Sequence, residues 1–318
     1  MKQLTPQAFQ RARAFLETQA RPLDWAIFAY RFEGAPAEDV VNALAAFQND
    51  DGGFGHALEP DLRTPSSSAL ATGIGLDVLL ELGCDAQHPM VRRAVRFVLA
   101  THDPQTRTWR VAPHDTNDYP HAGWWHDEAG SLARTFDDFE IIPRAQIVGL
   151  LHHYATLIHP EDQGLEIPAD WLGAVTADTV AAIEALPTER LSGDDLRYVL
   201  SLAETAALPE GDRARLVRWL RAVVPSVVTR DPAQWDSYCT PPLKVAPTPA
   251  SPVADLLWDD LQAYLDYQIA HQSAQGAWEP TWTWGDAYPE AWAQARQEWC
   301  GHLTLETLTR LRAFGRLA

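Results

Sequence analysis

Apolar residues along the chain recur three and four positions apart, as in Val40, Val41, Leu44 and Phe47 and again in Leu70, Ile74 and Val78. That spacing gathers them on one face of a helix, and sustained strand-like alternation is scarce. Prolines punctuate the pattern at Thr5-Pro6, Arg21-Pro22, Ala35-Pro36, Thr64-Pro65, His88-Pro89, Ile142-Pro143 and Ser251-Pro252. A proline in the first turn gives up an N–H that has no intrahelical partner anyway, so these pairs read as helix starts. Together the signals predict about eleven helices, centred near residues 11, 27, 42, 74, 94, 150, 177, 199, 218, 261 and 308. Four aromatic-rich connections separate some of them: 48–64, 101–141, 229–251 and 271–299. Loops of that length inside a compact domain carry function or structure of their own. The predicted fold class is all-α.

An internal repeat refines this picture. One helix ends in Phe47-Gln48 and runs into Asn49-Asp50-Asp51-Gly52-Gly53-Phe54-Gly55, after which Ser66, Ser67 and Ser68 start the next helix. Near the other end, Tyr267-Gln268 and then Gln272 to Gln275-Gly276-Ala277-Trp278 precede a helix expected to open around Gly301-His302. Weaker echoes run from Thr101-His102-Asp103 to Trp109 and from Arg230-Asp231 to Trp235-Asp236. Asp and Gly supply the turn, Gln bonds backbone groups at helix ends, and the aromatic plugs the seam between neighbours. A hairpin that cannot bury both of its helices needs neighbours, so periodic copies imply a stack or a closed ring.

The string Gln48 to Gly55 resembles the Gln/Asp-Gly-Gly-aromatic repeat of squalene-hopene cyclases and protein prenyltransferase β subunits. Its continuation, His56-Ala57-Leu58-Glu59-Pro60-Asp61-Leu62-Arg63-Thr64-Pro65, and the stretch Glu298-Trp299-Cys300-Gly301-His302-Leu303-Thr304-Leu305-Glu306 resemble a group of uncharacterised bacterial proteins carrying these repeats. The likeness covers both ends well and the middle, 110–250, poorly. It implies an α/α toroid of repeated helical hairpins, a single domain over 1–318, with an aromatic-lined pocket at one end. The signature acids of the terpene cyclases do not accompany it. Neither Asp-x-Asp-Asp nor Asp-Asp-x-x-Asp occurs, and the nearest adjacent acids are Asp50-Asp51, Asp137-Asp138, Asp194-Asp195 and Asp259-Asp260. Protein prenyltransferases hold zinc with Asp-x-Cys and a distant His; Asp236, Cys239 and His302 resemble that set with one residue too many between Asp and Cys.

Charge and composition then narrow the partners. A net charge of −18 repels phosphate backbones, and no Lys/Arg cluster offsets it beyond short helical runs such as Arg92, Arg93 and Arg96, so nucleic acid is excluded. No stretch approaches the ~20 apolar residues of a membrane span, and Met1 to Ala20 lacks the apolar centre of a signal peptide. The expected location is cytoplasmic. Cys84, Cys239 and Cys300 are odd in number and widely spaced, the pattern of reduced thiols rather than of a disulfide framework.

Candidate chemistry concentrates in two loops. His56, Glu59, Asp61 and Arg63 place four ionisable groups within eight positions ahead of a helix, stiffened by Pro60 and Pro65, and carboxylates with His are the usual acid–base tools. A solvated loop with Arg63 paired to an acid is the plainer alternative. In the second loop His102, His114, Asp115, His121, Trp124, Trp125, His126, Asp127 and Glu128 lack a metal spacing and read as a lid or pocket rim. Trp124, Trp125, His126, Trp282 and Trp284 are the expected substrate-binding residues, able to stack on a ligand or hold a cation. Three functions stay open: an enzyme acting on a small organic molecule; a carbohydrate-active hydrolase or lyase, which would need carboxylates on opposed walls; and a non-catalytic binding scaffold, which would show a large exposed apolar patch.

Overall fold

A computed structural model describes residues 1–127, 141–158 and 164–318. Glu128 and the Asp137-Asp138 pair lie outside the described residues. The protein is mostly helical, with twelve α-helices among the described residues: α1 Pro6–Gln19, α2 Pro22–Phe28, α3 Ala37–Ala45, α4 Ala69–Glu81, α5 Pro89–Thr101, α6 Arg144–Ala155, α7 Ala169–Ala185, α8 Gly193–Glu204, α9 Glu210–Val227, α10 Pro242–Val245, α11 Trp258–Ala270 and α12 Pro289–Ala313. Every predicted helix centre falls within one of them. Among the described residues no helix is long and apolar enough to cross a membrane. The chain divides into two compact units: a terminal unit of Met1–Ala43 with Val223–Ala318, and a middle unit of Leu44–Ala222.

In the terminal unit α12 packs on α1 and α2. Thr5 caps α1 by accepting the Ala8 amide at 3.2 Å, Pro6 fills the first turn, and Ala8, Ala12, Phe15 and Leu16 form the buried stripe. Phe15 meets Ala277 and Cys300 in the core. The two chain ends are joined by a parallel bridge between Leu4 and Leu317, in which the Leu4 amide donates to the Arg316 carbonyl and the Ala318 amide to that of Leu4. Arg316, only 3% exposed, ties them further through the Lys2 carbonyl, Asp266 at 2.8 Å and Gln262 at 2.7 Å.

The C-terminal helix departs from expectation. It begins at Pro289, not near Gly301, so the last eleven residues of the predicted 271–299 connection are helical. The aromatic content of that stretch masks residues with good helix propensity, Ala291, Ala293, Gln294, Ala295, Arg296 and Gln297. Gly301 sits mid-helix because a Cβ there would lie 2.7 Å from Ala20 Cβ.

In the middle unit α6 is the hub, packing on α4, α7 and α8. Its residues Arg144 to Leu151 are all buried, as expected of a helix surrounded on every side. Ser68 caps α4 at 2.9 Å, and Ser192 with Asp195 forms a capping box at the start of α8. The adjacent acids Asp194-Asp195 therefore belong to a helix start. Two short antiparallel strands, β1 His102–Asp103 and β2 Thr108–Trp109, occupy the long connection after α5.

The repeat seen in the sequence is a clamp, built with a glutamine once in each unit. Gln48 Nε2 donates to the Gly52 carbonyl at 2.9 Å and the Met90 carbonyl at 3.0 Å; Gln272 Nε2 donates to Gly276 at 3.0 Å and Ala8 at 2.9 Å. An arginine three residues beyond each helical carbonyl, Arg93 or Arg11, donates to the oxygen of the same glutamine. The Phe54 amide reaches Thr72 Oγ1 at 3.0 Å and the Trp278 amide Thr304 Oγ1 at 3.1 Å. Gly52 (φ 93°) and Gly276 (φ 95°) adopt the same left-handed conformation, each with the Arg93 or Arg11 carbonyl oxygen 2.5 Å from where a Cβ would stand. The third copy keeps the spacing with other residues. Asp103 stands at the glutamine position, Arg107 takes the left-handed place at φ 58°, and Trp109 plugs the seam with its indole N–H on the Val98 carbonyl at 2.7 Å.

Candidate functional site

The loop that leaves the first clamp is held in a strained conformation. His56 (φ 53°) and Ala57 (φ 59°) are consecutive left-handed residues, neither of them glycine. Such positions cost about 1–3 kcal/mol each and persist where the surroundings over-determine them, which is common at functional sites. Here Asn49 holds the bend: its Oδ1 accepts from His56 Nε2 at 2.8 Å while its Nδ2 donates to the Pro65 carbonyl and Ser67 Oγ, both at 2.9 Å. Asp51 accepts the Gly53 amide at 2.9 Å and Ser67 Oγ at 2.7 Å, a turn-building role, and Asp50 is exposed beside it.

Beyond the bend the chain turns inward. Glu59 is 9% and Asp61 3% exposed, while His56 stays at the surface. Arg63 donates to the Pro60 carbonyl at 3.4 Å. The second candidate loop pairs with this segment: Arg63 N donates to Pro120 O at 3.1 Å, Ala122 N to Asp61 O at 2.9 Å, and Leu62 bridges His121 in antiparallel register. Asp115 anchors the same junction by accepting from Thr64 Oγ1 at 3.1 Å and Ser66 Oγ at 2.7 Å. The two loops singled out by composition are thus stitched together. The seam joins residues 61–63, two positions beyond Glu59, to residues 120–122, just ahead of Trp124, Trp125 and His126.

On the far strand of that seam His121 is buried and Trp125 is 5% exposed, whereas Trp124 (41%) and His126 face solvent. His121 Nδ1 contacts the Tyr119 carbonyl at 2.7 Å and its Nε2 contacts His126 Nδ1 at 2.9 Å. Asp127 closes the turn, pairing with Arg110 at 2.9 Å and with Asn117. His114 is exposed. His102 lies between Trp109 and Trp171, edge-on to both, and burial holds its pKa below the ordinary value.

Two buried groups near this loop carry no sequence signal. Arg144 donates to Thr179 Oγ1 at 2.9 Å from the first turn of α6, and Gln146 Oε1 lies 2.8 Å from the Cβ position of Gly73 with no hydrogen-bond partner among the described residues. Both look like surface residues by type; only the complete enclosure of α6 places them inside. In the terminal unit Asp24, 1% exposed, takes Arg21 Nε at 2.8 Å and Nη2 at 3.1 Å, a bidentate buried pair. Arg and Asp three apart across a helix start would have been the signal.

The remaining candidates sit in the terminal unit. Trp282 stacks edge-on against Trp299, Trp284 is buried against Trp292, and His302 packs on Trp299. Asp236, Cys239 and His302 do not assemble as the expected zinc set: among the described residues no three His, Cys, Asp or Glu side chains are grouped to hold a metal ion. Asp236 instead accepts from the Tyr267 hydroxyl. Burial pushes the Cys239 thiol up. The extra residue between Asp and Cys is the physical difference from the prenyltransferase spacing.

No family model, curated protein or solved structure matches the chain.

Proposed function

We propose that the middle unit carries an acid–base site for a small organic molecule, making the protein an enzyme whose helical repeats resemble those of terpene cyclases and prenyltransferases but whose chemistry is its own. The carrying observation is the seam of Asp61, Leu62 and Arg63 with Pro120, His121 and Ala122. It joins the loop that carries the two buried carboxyl groups, Glu59 and Asp61, to the loop that carries His121, Trp124, Trp125 and His126 some sixty residues on, next to a strained bend. Buried carboxyl groups and imidazoles on two paired loops are the side-chain types that general acid–base chemistry uses. The exposed face of Trp124 offers a stacking surface for the ligand body.

The α/α toroid is supported by the equivalence of the clamps at Gln48 and Gln272, since such repeats exist to bury hairpins against neighbours. Glu59 and Asp61 share one short loop, an arrangement that counts against the opposed carboxylates of a glycoside hydrolase.

Incubating the purified protein with a small-molecule extract, and comparing mass-spectrometric profiles with those given by Glu59→Gln and Asp61→Asn variants, tests the proposal. The expected result is a compound consumed by the wild-type protein and spared, ~100-fold or more, by at least one folded variant. Identical profiles for all three proteins would defeat the enzyme reading.

A further inference from the structure

The third clamp differs from the other two in the residue that ties a clamp to its neighbour. Gln48 and Gln272 each reach a helical carbonyl outside their own turn, Met90 or Ala8, through an amide N–H. Asp103, at the matching position, has no N–H to offer. Its carboxylate accepts the Gln105 amide at 2.8 Å and Thr106 Oγ1 at 3.0 Å, both inside the turn. The hairpin β1–β2 is held by other means. Arg107 pairs with Asp178 of α7 at 2.9 Å, but the arginine side chain is 64% exposed, where solvent screens an ion pair. The enclosed attachment is a set of rings. His102 lies edge-on to Trp109 of β2 and to Trp171 of α7, with centroids 5.0 and 5.2 Å away, and Trp109 is edge-on to Trp171 at 6.5 Å.

His102 is the titratable member of that set. The residue at its position is Phe47 in the first clamp and His271, at the surface, in the second. His102 Nε2 is buried with no hydrogen-bond partner among the described residues. A neutral ring bears that at modest cost, whereas an imidazolium carries N–H on both nitrogens, so the unmet group becomes a charged donor. The charged groups around the ring, among the described residues, are Asp103 and Arg107 on its own hairpin, Arg144 on α6 and Asp178 on α7. Burial, the largest influence, and the Arg144 guanidinium oppose the charged ring; a hydrogen bond with the Arg107 backbone and the carboxylates of Asp103 and Asp178 favour it, and burial prevails.

We propose that His102 is an acid-sensitive pin: while neutral it docks the β1–β2 hairpin on α7, and on taking up a proton from solvent it withdraws into water and the hairpin undocks. Docked, the ring stays neutral to lower pH than it does in water. Docking is therefore at full strength well above pH 6.5 and weakens as pH falls below it. The same segment runs on from Trp109 to Pro120, His121 and Ala122, so undocking slackens the chain that leads into the seam with residues 61–63. The pin does not depend on what that seam binds or catalyses.

Amide hydrogen exchange read by mass spectrometry at pH 7.5 and 5.5, corrected for the intrinsic pH dependence of exchange, tests the pin. Protection of residues 102–109 is expected to fall about tenfold at the lower pH, where an ordinary imidazole is ~90% protonated, while α12 keeps its protection. His102→Phe gives the third clamp the ring that the first carries at Phe47, and its hairpin should be equally protected at both pH values. Unchanged protection in the wild-type protein overturns the proposal, as does an equal loss in His102→Phe or a loss spread evenly along the chain. Should His102→Phe fail to fold, proton NMR titration of the His102 ring in the wild-type protein decides. A midpoint below 6.5, with the Trp109 indole N–H signal shifting in parallel, supports the pin; a midpoint at or above 6.5 overturns it.

Discussion

At the scale of single residues the clamp glycines make the sharpest demands. Gly52 and Gly276 hold left-handed angles with a backbone carbonyl oxygen 2.5 Å from any added Cβ, and backbone cannot swing aside as a side chain can. Gly52→Ala and Gly276→Ala should each destabilise the protein by about 2 kcal/mol or more, read from denaturant midpoints. Gly34, also left-handed but with nothing near its Cβ position, is the control and should cost less when replaced. The Gly-Gly-aromatic string made the first clamp plain in the sequence. The third copy was fainter because Arg107 holds the left-handed place, where composition alone does not point to a turn.

At the scale of elements, tryptophans recur as plugs at helix ends. Trp109, Trp235 and Trp278 each donate the indole N–H to a carbonyl of the preceding segment, Val98 at 2.7 Å, Thr229 at 2.9 Å and Gln268 at 2.8 Å. Trp109→Phe and Trp278→Phe keep an aromatic ring but leave a carbonyl without that donor. Each should cost about 1–3 kcal/mol in thermal or denaturant unfolding, and an unchanged midpoint would mean water takes the place of the indole. Helix positions were legible because capping residues and prolines coincide with apolar periodicity, as at Thr5-Pro6 and Ser68. The start of α12 was not, since Trp292 and Trp299 read as loop aromatics although they lie on a helix. For the site, composition pointed to both loops, but nothing along the chain announces that residues 61–63 pair with 120–122. The pairing is made by backbone groups, which every sequence has. Arg144 and Gln146 were missed for a related reason, because their enclosure depends on the helices around α6 rather than on their own type.

At the scale of the whole molecule, pH tests how the chain buries its imidazoles. Burial holds His102, His152 and His153 below the ordinary imidazole value of 6.5. Well above 6.5 both folded and unfolded chains leave these groups neutral, so they contribute no slope. As pH falls through 6.5 the unfolded chain takes up protons first and stability declines, levelling off below the folded values. The melting temperature should therefore drop between about pH 7.5 and pH 5.5, and His152→Gln should shrink the drop. An equal drop in that variant would assign the effect to other groups. The clasp at the chain ends has a mechanical consequence. Residues 4 and 317 run parallel, so tension applied between the ends draws the two segments past each other along their length. The backbone bonds and the Arg316 contacts are then loaded together in shear, rather than peeled apart one after another.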